Sequence, residues 1–375
     1  MRKINYPATG TLELKAFYRR YRKAFNKSLF RDVNKELRLA PDFNGHKLTF
    51  EQLLTMPLGE LMAVNSAFSS YLPTVKGKHG KVLSGPHPLT DLLDYGTHRY
   101  GIANFFMEEK GLGLKICYYC GIDYVNAFND FGDYSSALQF LNYAPKRDLL
   151  RAYKVGSVKA EKIIKQRKQK KIANINDIKL PDDTKDWLKN LKDYKNIYNH
   201  FTLDHVMPKS KYKLFSLSLH NLVPCCFSCN SKFKGAEDLR INQHLLRVSP
   251  TSMDYSLTED FKFRVFYSGR LQSITDTSHF TLQMNPLRNE EQFYRYTDLF
   301  KLEGRYIAHK DEILKLIEKK AKYPKTQVAD MANVLKITPR AAEELIYGKE
   351  LFLKDHPSPL HKCKRDIAEN IRIIR

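Results

Sequence analysis

The spacing of apolar residues predicts helices over most of the chain. Residues 12–25 place Leu14, Phe17, Tyr18 and Tyr21 at helical spacing and carry lysines and arginines over the remaining surface. This pattern predicts an amphipathic basic helix. Its charged face is either solvated or placed against a nucleic-acid backbone, and the pattern alone favours neither.

Two shorter stretches predict β-structure. Residues 201–206 predict one strand, and residues 261–285 alternate around Ser268 and Gly269, which indicates a hairpin followed by a third strand. From about residue 290 the helical pattern returns, and residues 326–348 predict a helix–turn–helix pair that either reads DNA or is structural. The fold class that these patterns indicate is α+β and mainly helical.

The same patterns divide the chain into three predicted domains. Residues 1–110 form a helical N-terminal domain, in which residues 74–88 are a loop rich in glycine, proline and lysine. Residues 111–245 form a central domain with a basic helical insertion at 122–200, and residues 246–375 form a C-terminal region of a β hairpin followed by helices.

The amino-acid composition indicates the class of binding partner and the cellular compartment of the protein. The chain has 375 residues, 42% of them hydrophobic and 12% aromatic, which is ample for packed cores. Its formal net charge of +22 indicates a phosphate polyanion or an anionic membrane as the partner, and nucleic acid is the better fit. No apolar run reaches the roughly 18 residues that a membrane span requires, and the first residues lack a signal-peptide pattern. We therefore expect a cytoplasmic protein that does not enter membranes.

Cysteine spacing predicts a metal site. Four of the six cysteines form two C-x-x-C pairs, Cys117 with Cys120 and Cys226 with Cys229. In a reducing compartment such pairs indicate metal thiolates rather than disulfides, and four thiolates are the ligand set of a structural zinc site. The other two cysteines are expected to be small buried or free thiols, Cys225 and Cys363.

Further polar residues stand in a fixed order around the second cysteine pair. Asp204 and His205 end a predicted strand, Asn221 precedes the cysteines, and Asn230 follows the last of them directly. Together with the cysteines, this order resembles the HNH family of ββα-metal endonucleases, in a variant with asparagine at the third position and a Cys₄ zinc site. The resemblance covers residues 114–121 and 201–235.

The resemblance implies a role for each of these residues. His205 would be the general base that activates water. Asn221 would brace the loop and orient this histidine. Asp204 and Asn230 would hold the catalytic ion, and their oxygen ligands favour Mg²⁺ or Mn²⁺ over a transition metal. The four cysteines would hold structural Zn²⁺. Two lysines after Asn230 would contact phosphate or form a solvated basic face, Lys232 and Lys234.

The predicted insertion is strongly basic. Residues 146–171 contain eleven lysines and arginines against two acidic residues. Residues 149–180 resemble a helix-hairpin-helix, a motif that presents backbone amides to a DNA phosphate, although Lys154 stands where the motif's first glycine is usual. The alternative is a plain basic helical insertion. The DNA-binding candidates are Gly156, Lys159, Lys162 and Arg167.

These observations predict a metal-dependent endonuclease that hydrolyses DNA, most simply duplex DNA. The segments resemble bacterial HNH proteins suspected in restriction or phage defence, which implies a defence-system partner protein. One HNH unit cuts one strand, so a double-strand break would require a homodimer or sequential cuts. The alternatives are a zinc-dependent DNA-binding protein that does not cleave, and an RNA-directed or RNA-cleaving HNH nuclease. His200 and His220 match no family position and are expected to be structural.

Overall fold

The structure is a computed structural model that describes residues 1–68, 88–129, 132–191, 197–237, 239 and 243–374. Except for Pro88, the loop predicted at residues 74–88 lies outside this part of the chain. The chain divides into two compact units, Met1–Asn126 with Phe201–Arg375, and Ala127–His200. The predicted N-terminal, central and C-terminal domains are therefore not separate, because their apolar residues share one core.

In the part of the chain that the structure describes, six α-helices precede the first cysteine pair in the first unit. Thr11 accepts a hydrogen bond from the amide of Leu14 (3.1 Å) and begins the first helix, which buries Phe17 and Tyr21. Two further helices, Phe50–Thr55 and Leu58–Phe68, are separated at Pro57. This break is expected because proline has no amide hydrogen for a helical hydrogen bond. The helices are α1 (Leu12–Arg22), α2 (Lys27–Leu37), α3 (Phe50–Thr55), α4 (Leu58–Phe68), α5 (Pro88–Leu92) and α6 (Tyr95–Glu108).

The second unit has its own small core. Phe140, Ile163, Trp187 and Leu188 are buried in it. Two terminal strands pair with each other, and four α-helices lie between them among its described residues. The elements are β1 (Asn126–Asn129), α7 (Ala137–Tyr143), α8 (Lys146–Leu149), α9 (Ser157–Gln169), α10 (Asp182–Lys189) and β2 (Ile197–His200).

The chain then returns to the first unit as a short antiparallel pair. Strand β3 (Thr202–His205) pairs with β4 (Leu222–Cys225), and His205 lies opposite Leu222. A π-helical segment, Ser228–Lys234, follows β4 and contains Cys229. Residues 201–235 thus contain two short paired strands followed by one helical segment.

A second antiparallel pair follows, with a different loop from the predicted one. Strand β5 (Phe261–Phe266) pairs with β6 (Thr281–Pro286), and the residues between them bury Ile274 and Phe280. The expected tight hairpin at Ser268 and Gly269 with a third strand is wrong, because these apolar side chains fold the connection into 3₁₀ turns that pack on the core.

The remaining elements are helical. The predicted pair at residues 326–348 forms two helices joined by Lys336 in the left-handed conformation (φ 53°), and Pro339 occupies the first turn of the second helix. The helices are α11 (Gln243–Val248), α12 (Glu290–Leu299), α13 (Leu302–Ile307), α14 (Lys310–Lys322), α15 (Lys325–Leu335), α16 (Pro339–Tyr347) and α17 (His361–Asn370). The described chain is thus α+β and mainly helical, and none of its helices has the length and apolar character to cross a bilayer.

Candidate active site and metal centre

The two cysteine pairs meet in one buried cluster. The sulfurs of Cys117, Cys120, Cys226 and Cys229 all lie within 4.8 Å of one another, and the sulfurs of Cys120 and Cys226 are 4.0 Å apart. Zinc–sulfur bonds of about 2.3 Å in a tetrahedral site place sulfurs about 3.8 Å apart, so the cluster fits a metal such as zinc. The structure thus brings together the two C-x-x-C pairs, as the cysteine spacing predicts.

Backbone amides complete both turns of the cluster. The amides of Ile122 and Cys229 lie 3.4 Å from the sulfurs of Cys120 and Cys226, respectively. In the first turn, Gly121 adopts a positive φ of 68° and donates its amide to the carbonyl of Cys117 (2.9 Å). The amides of Ile122 and Cys229 are directed at sulfur, which favours thiolates over thiols.

One C-terminal helix, α13, braces the cluster, and sequence reasoning assigned none of its residues to it. Arg305 of α13 donates Nη1 to the sulfur of Cys229 (3.3 Å) and Nη2 to the carboxylate of Asp123 (2.9 Å). The hydroxyl of Tyr306 donates to the carbonyl of Cys120 (2.7 Å). A guanidinium at this place offsets the negative charge that four thiolates bring to one ion.

Asp204 and Lys234 form a buried ion pair next to the cluster. Lys234 Nζ lies 3.1 Å from Oδ2 of Asp204, and it also donates to the carbonyl of His205 (2.8 Å). The Lys234 side chain is 0% exposed and that of Asp204 is 3% exposed. Lys234 therefore does not face a DNA phosphate as predicted, because its ammonium group is used inside the fold.

The carboxylate of Asp204 has a second donor. The hydroxyl of Tyr119, between the first two cysteines, donates to Oδ2 of Asp204 (2.6 Å). Burial raises the pKa of Asp204, and the charge of Lys234 and the Tyr119 hydrogen bond oppose that rise. The carboxylate is thus held by a lysine and a tyrosine that sequence reasoning did not connect with it.

This arrangement does not fit Mg²⁺ or Mn²⁺ on Asp204. A divalent cation would lie beside the Lys234 ammonium and would have to displace it from a buried carboxylate. Asn230, the other predicted ligand, is half-buried, and its backbone carbonyl accepts the amide of Gly235 (2.7 Å) within the π-helical segment.

His205 is buried, and its hydrogen bond shows which ring nitrogen carries the hydrogen. Its Nε2 lies 2.9 Å from the carbonyl of Ser216, and the ring of Tyr95 meets it edge-on at 4.7 Å. A carbonyl only accepts, so Nε2 carries the hydrogen and Nδ1 keeps the lone pair. The pKa of His205 is lowered to about 4, mainly by burial; the Ser216 hydrogen bond opposes this lowering, and the charges of Lys209 and Lys234 add to it. The imidazole is therefore neutral at pH 7.

Asn221 ties the loop after β3 to the start of β4. Its Oδ1 accepts the amide of Met207 (2.7 Å), and its Nδ2 donates to the carbonyls of Met207 (3.1 Å) and Phe215 (3.0 Å). The side chain is fully buried. Because Ser216 follows Phe215, these bonds also fix the carbonyl that orients His205. The role that the resemblance implies for Asn221 in a nuclease stays a prediction.

One exposed cation, Lys209, lies close to His205. Lys209 Nζ is 4.8 Å from the centre of the Tyr95 ring, which itself contacts His205. Lys232 is exposed on the π-helical segment, as a phosphate contact requires. Sequence reasoning did not single out Lys209, whose only signal is its place four residues after His205.

The predicted DNA-binding residues of the second unit differ in how far their polar groups are already hydrogen-bonded within the protein. Lys154 has φ 55°, the left-handed conformation that explains why glycine is usual there, and Gly156 precedes α9 directly. Lys159 donates to the carbonyl of Lys154 (3.0 Å), while Lys162 is exposed. Arg167 Nη1 donates to the carbonyl of Leu141 in the same unit (3.1 Å), so part of its guanidinium is already used.

The two histidines that match no family position differ in burial. His220 is 2% exposed, with Nε2 2.9 Å from the hydroxyl of Tyr18 and Nδ1 3.4 Å from the carbonyl of Thr251. His200 is exposed at the end of β2 in the second unit.

Comparisons with protein-family models, with curated proteins and with solved structures give no match to this chain. The resemblance to HNH nucleases therefore remains a prediction that depends on the residues named above.

Proposed function

We propose that the chain is an endonuclease that hydrolyses phosphodiester bonds in DNA, with His205 as the general base. The observation that carries this proposal is the environment of His205. Its imidazole is neutral, its hydrogen is fixed on Nε2 by Ser216, and its Nδ1 lone pair is left to accept a proton. The two-strand and helical order around it, with the cysteine cluster, supports the same proposal.

In the proposed reaction a water molecule attacks the phosphorus of the scissile bond. Nδ1 of His205 takes the proton of that water, the new oxygen–phosphorus bond forms, and the bond to the 3′ oxygen breaks. Solvent returns a proton to the leaving oxygen, so charge and atoms balance. Lys209 and Lys232 are the exposed cations suited to hold the phosphate, and the net charge of +22 favours association with DNA.

The test is cleavage of supercoiled plasmid by the purified full chain. Reactions contain Mg²⁺, Mn²⁺ or EDTA, and parallel samples offer linear duplex DNA, single-stranded DNA and RNA of the same length. Nicked or linear plasmid in any of the ionic conditions is the expected result. Conversion that is absent in all of them would overturn the proposal, and a preference for RNA would change the substrate.

A second candidate is a zinc-dependent DNA-binding protein that does not cleave. The Asp204–Lys234 ion pair favours it, because the carboxylate predicted to hold the catalytic ion is neutralised inside the fold. A retarded DNA band in a gel-shift experiment, together with intact DNA in every cleavage sample, would favour this candidate.

A role in bacterial restriction or phage defence, alone or with a partner protein, goes with the nuclease proposal. A single HNH unit cuts one strand, and a double-strand break requires a homodimer or two sequential cuts. Comparison of nicked with linear product over time, with the mass of the protein in solution, distinguishes these two cases.

A further inference from the structure

A charged cavity of about 650 Å³ lies in the first unit, apart from His205. It is lined by residues of the first segment of the chain, by Ile116 and Gly121 of the cysteine turn, and by residues of β5 and α17. Among the described residues that line it, seven are lysine or arginine and three are aspartate or glutamate. The lining is therefore strongly biased towards cations.

Part of this charge belongs to the fold. Asp366 of α17 accepts from Lys262 (3.2 Å), from Lys362 (2.8 Å) and from the amide of Phe263. Arg288 lies 3.2 Å from Asp260. These pairs hold α17 against β5, and their cations are compensated without a ligand.

Arg2 is only partly compensated. Its side chain is 9% exposed, and one nitrogen, Nη2, contacts Asp355 at 2.9 Å. Its Nε and Nη1 are buried and make no hydrogen bond, and neither does Nε of Arg365, whose Nη2 pairs with Glu369 (3.2 Å). Buried donors without acceptors are unfavourable, so this region has a surplus of hydrogen-bond donors.

The exposed side of the cavity adds more positive charge. Lys354 lines it and is exposed, and Lys3 uses one of its three hydrogens on the carbonyl of Met253 (2.6 Å). Rings of Tyr255, Tyr306 and His356 also lie in the wall. Guanidinium and ammonium groups next to aromatic rings are the chemistry that binds phosphates attached to a planar base.

We propose that this cavity binds a small phosphate-bearing ligand, most simply a nucleotide. Its volume lies within the range of about 300–1,000 Å³ that is typical of small-molecule sites, and it cannot enclose a nucleic-acid duplex. The ligand would supply the acceptors that Arg2 and Arg365 lack. Because Tyr306 lines the cavity and also bonds the carbonyl of Cys120, occupancy would stabilise the cysteine turn as well.

The experiment is calorimetric titration of the full, zinc-containing chain with ATP, AMP and inorganic triphosphate. We expect ATP to bind, and Lys354→Gln, an exposed substitution that spares the core, to weaken binding about tenfold. Arg2→Gln is expected to weaken it further. Lys349→Gln removes one exposed charge outside the cavity and is the matched control.

Three outcomes would overturn the proposal. The first is absence of binding for all three probes at millimolar concentration. The second is equal affinity of the wild-type protein and Lys354→Gln, and the third is an equal loss in Lys349→Gln. Tighter binding of ATP than of inorganic triphosphate supports a nucleotide as the ligand. Equal binding of the two would show that the cavity recognises phosphate and does not recognise the base. Thermal unfolding of each variant separates a loss of binding from a loss of fold.

Discussion

At the scale of single residues, burial explains why His205 stays neutral, and the charges of Lys209 and Lys234 add to that effect. Lys234 also pairs with the buried carboxylate of Asp204. Tyr119 holds the same carboxylate from the cysteine turn. The histidine and the metal cluster are thus connected through one buried carboxylate.

Removal of Lys234 should therefore destabilise the protein strongly. Lys234→Met leaves the Asp204 carboxylate buried without its cation, and we expect a loss of about 3–5 kcal/mol in the free energy of unfolding. Urea unfolding at pH 7 measures it, with Lys232→Met as the exposed control expected to change stability by about 0.5 kcal/mol or less. A Lys234→Met variant as stable as the control would show that the ion pair is not formed.

Buried His220 should make stability depend on pH. Burial lowers its pKa to about 4 in the folded protein, against about 6.5 in the unfolded chain. The unfolded chain therefore binds the proton first as pH falls, so stability is complete above pH 6.5 and is lost between pH 6.5 and about 4. The loss is of the order of 3 kcal/mol.

The variant His220→Gln isolates this effect, because glutamine can keep a hydrogen bond to Tyr18 without titrating. Urea midpoints at pH 7.5, 5.5 and 4.5 should fall less steeply for the variant than for the wild-type protein. Loss of zinc at acid pH affects both proteins, so only the difference between them reports on His220. Parallel curves would contradict the buried, neutral state of this histidine.

At the scale of elements, the cysteine cluster joins parts of the chain that are distant in sequence. The first turn lies before the insertion and the second follows β4, while α13 braces both through Arg305 and Tyr306. These residues share one core, so the C-terminal helices are part of the metal centre rather than a separate domain. The energy of metal binding should therefore support the whole first unit.

Metal analysis of cysteine and arginine variants tests this joint role. We expect about one zinc per wild-type chain, loss of zinc and of soluble protein in Cys229→Ser, and full zinc with about 10- to 100-fold weaker retention against a chelator in Arg305→Met. Elemental analysis and chelator competition measure these values. Wild-type protein without zinc would remove the assignment of the four cysteines.

At the scale of the whole molecule, local patterns predicted more than long-range contacts. The C-x-x-C spacing and the periodicity around Pro339 carry their own geometry, so the cluster and the helix pair could be foreseen. Two neighbouring lysines look alike in sequence, however, and only the wider turn of the π-helical segment directs Lys234 to Asp204 and leaves Lys232 exposed. Three domains were predicted because no local signal reveals a shared core.

The most direct measurement is the plasmid cleavage rate of His205→Ala relative to wild type. Zinc content and circular dichroism establish that the variant is folded, and His200→Ala, an exposed histidine of the second unit, is the control. The account predicts a loss of about 10²-fold or more for His205→Ala and no loss for His200→Ala. Cleavage by folded His205→Ala within a few fold of wild type would contradict it.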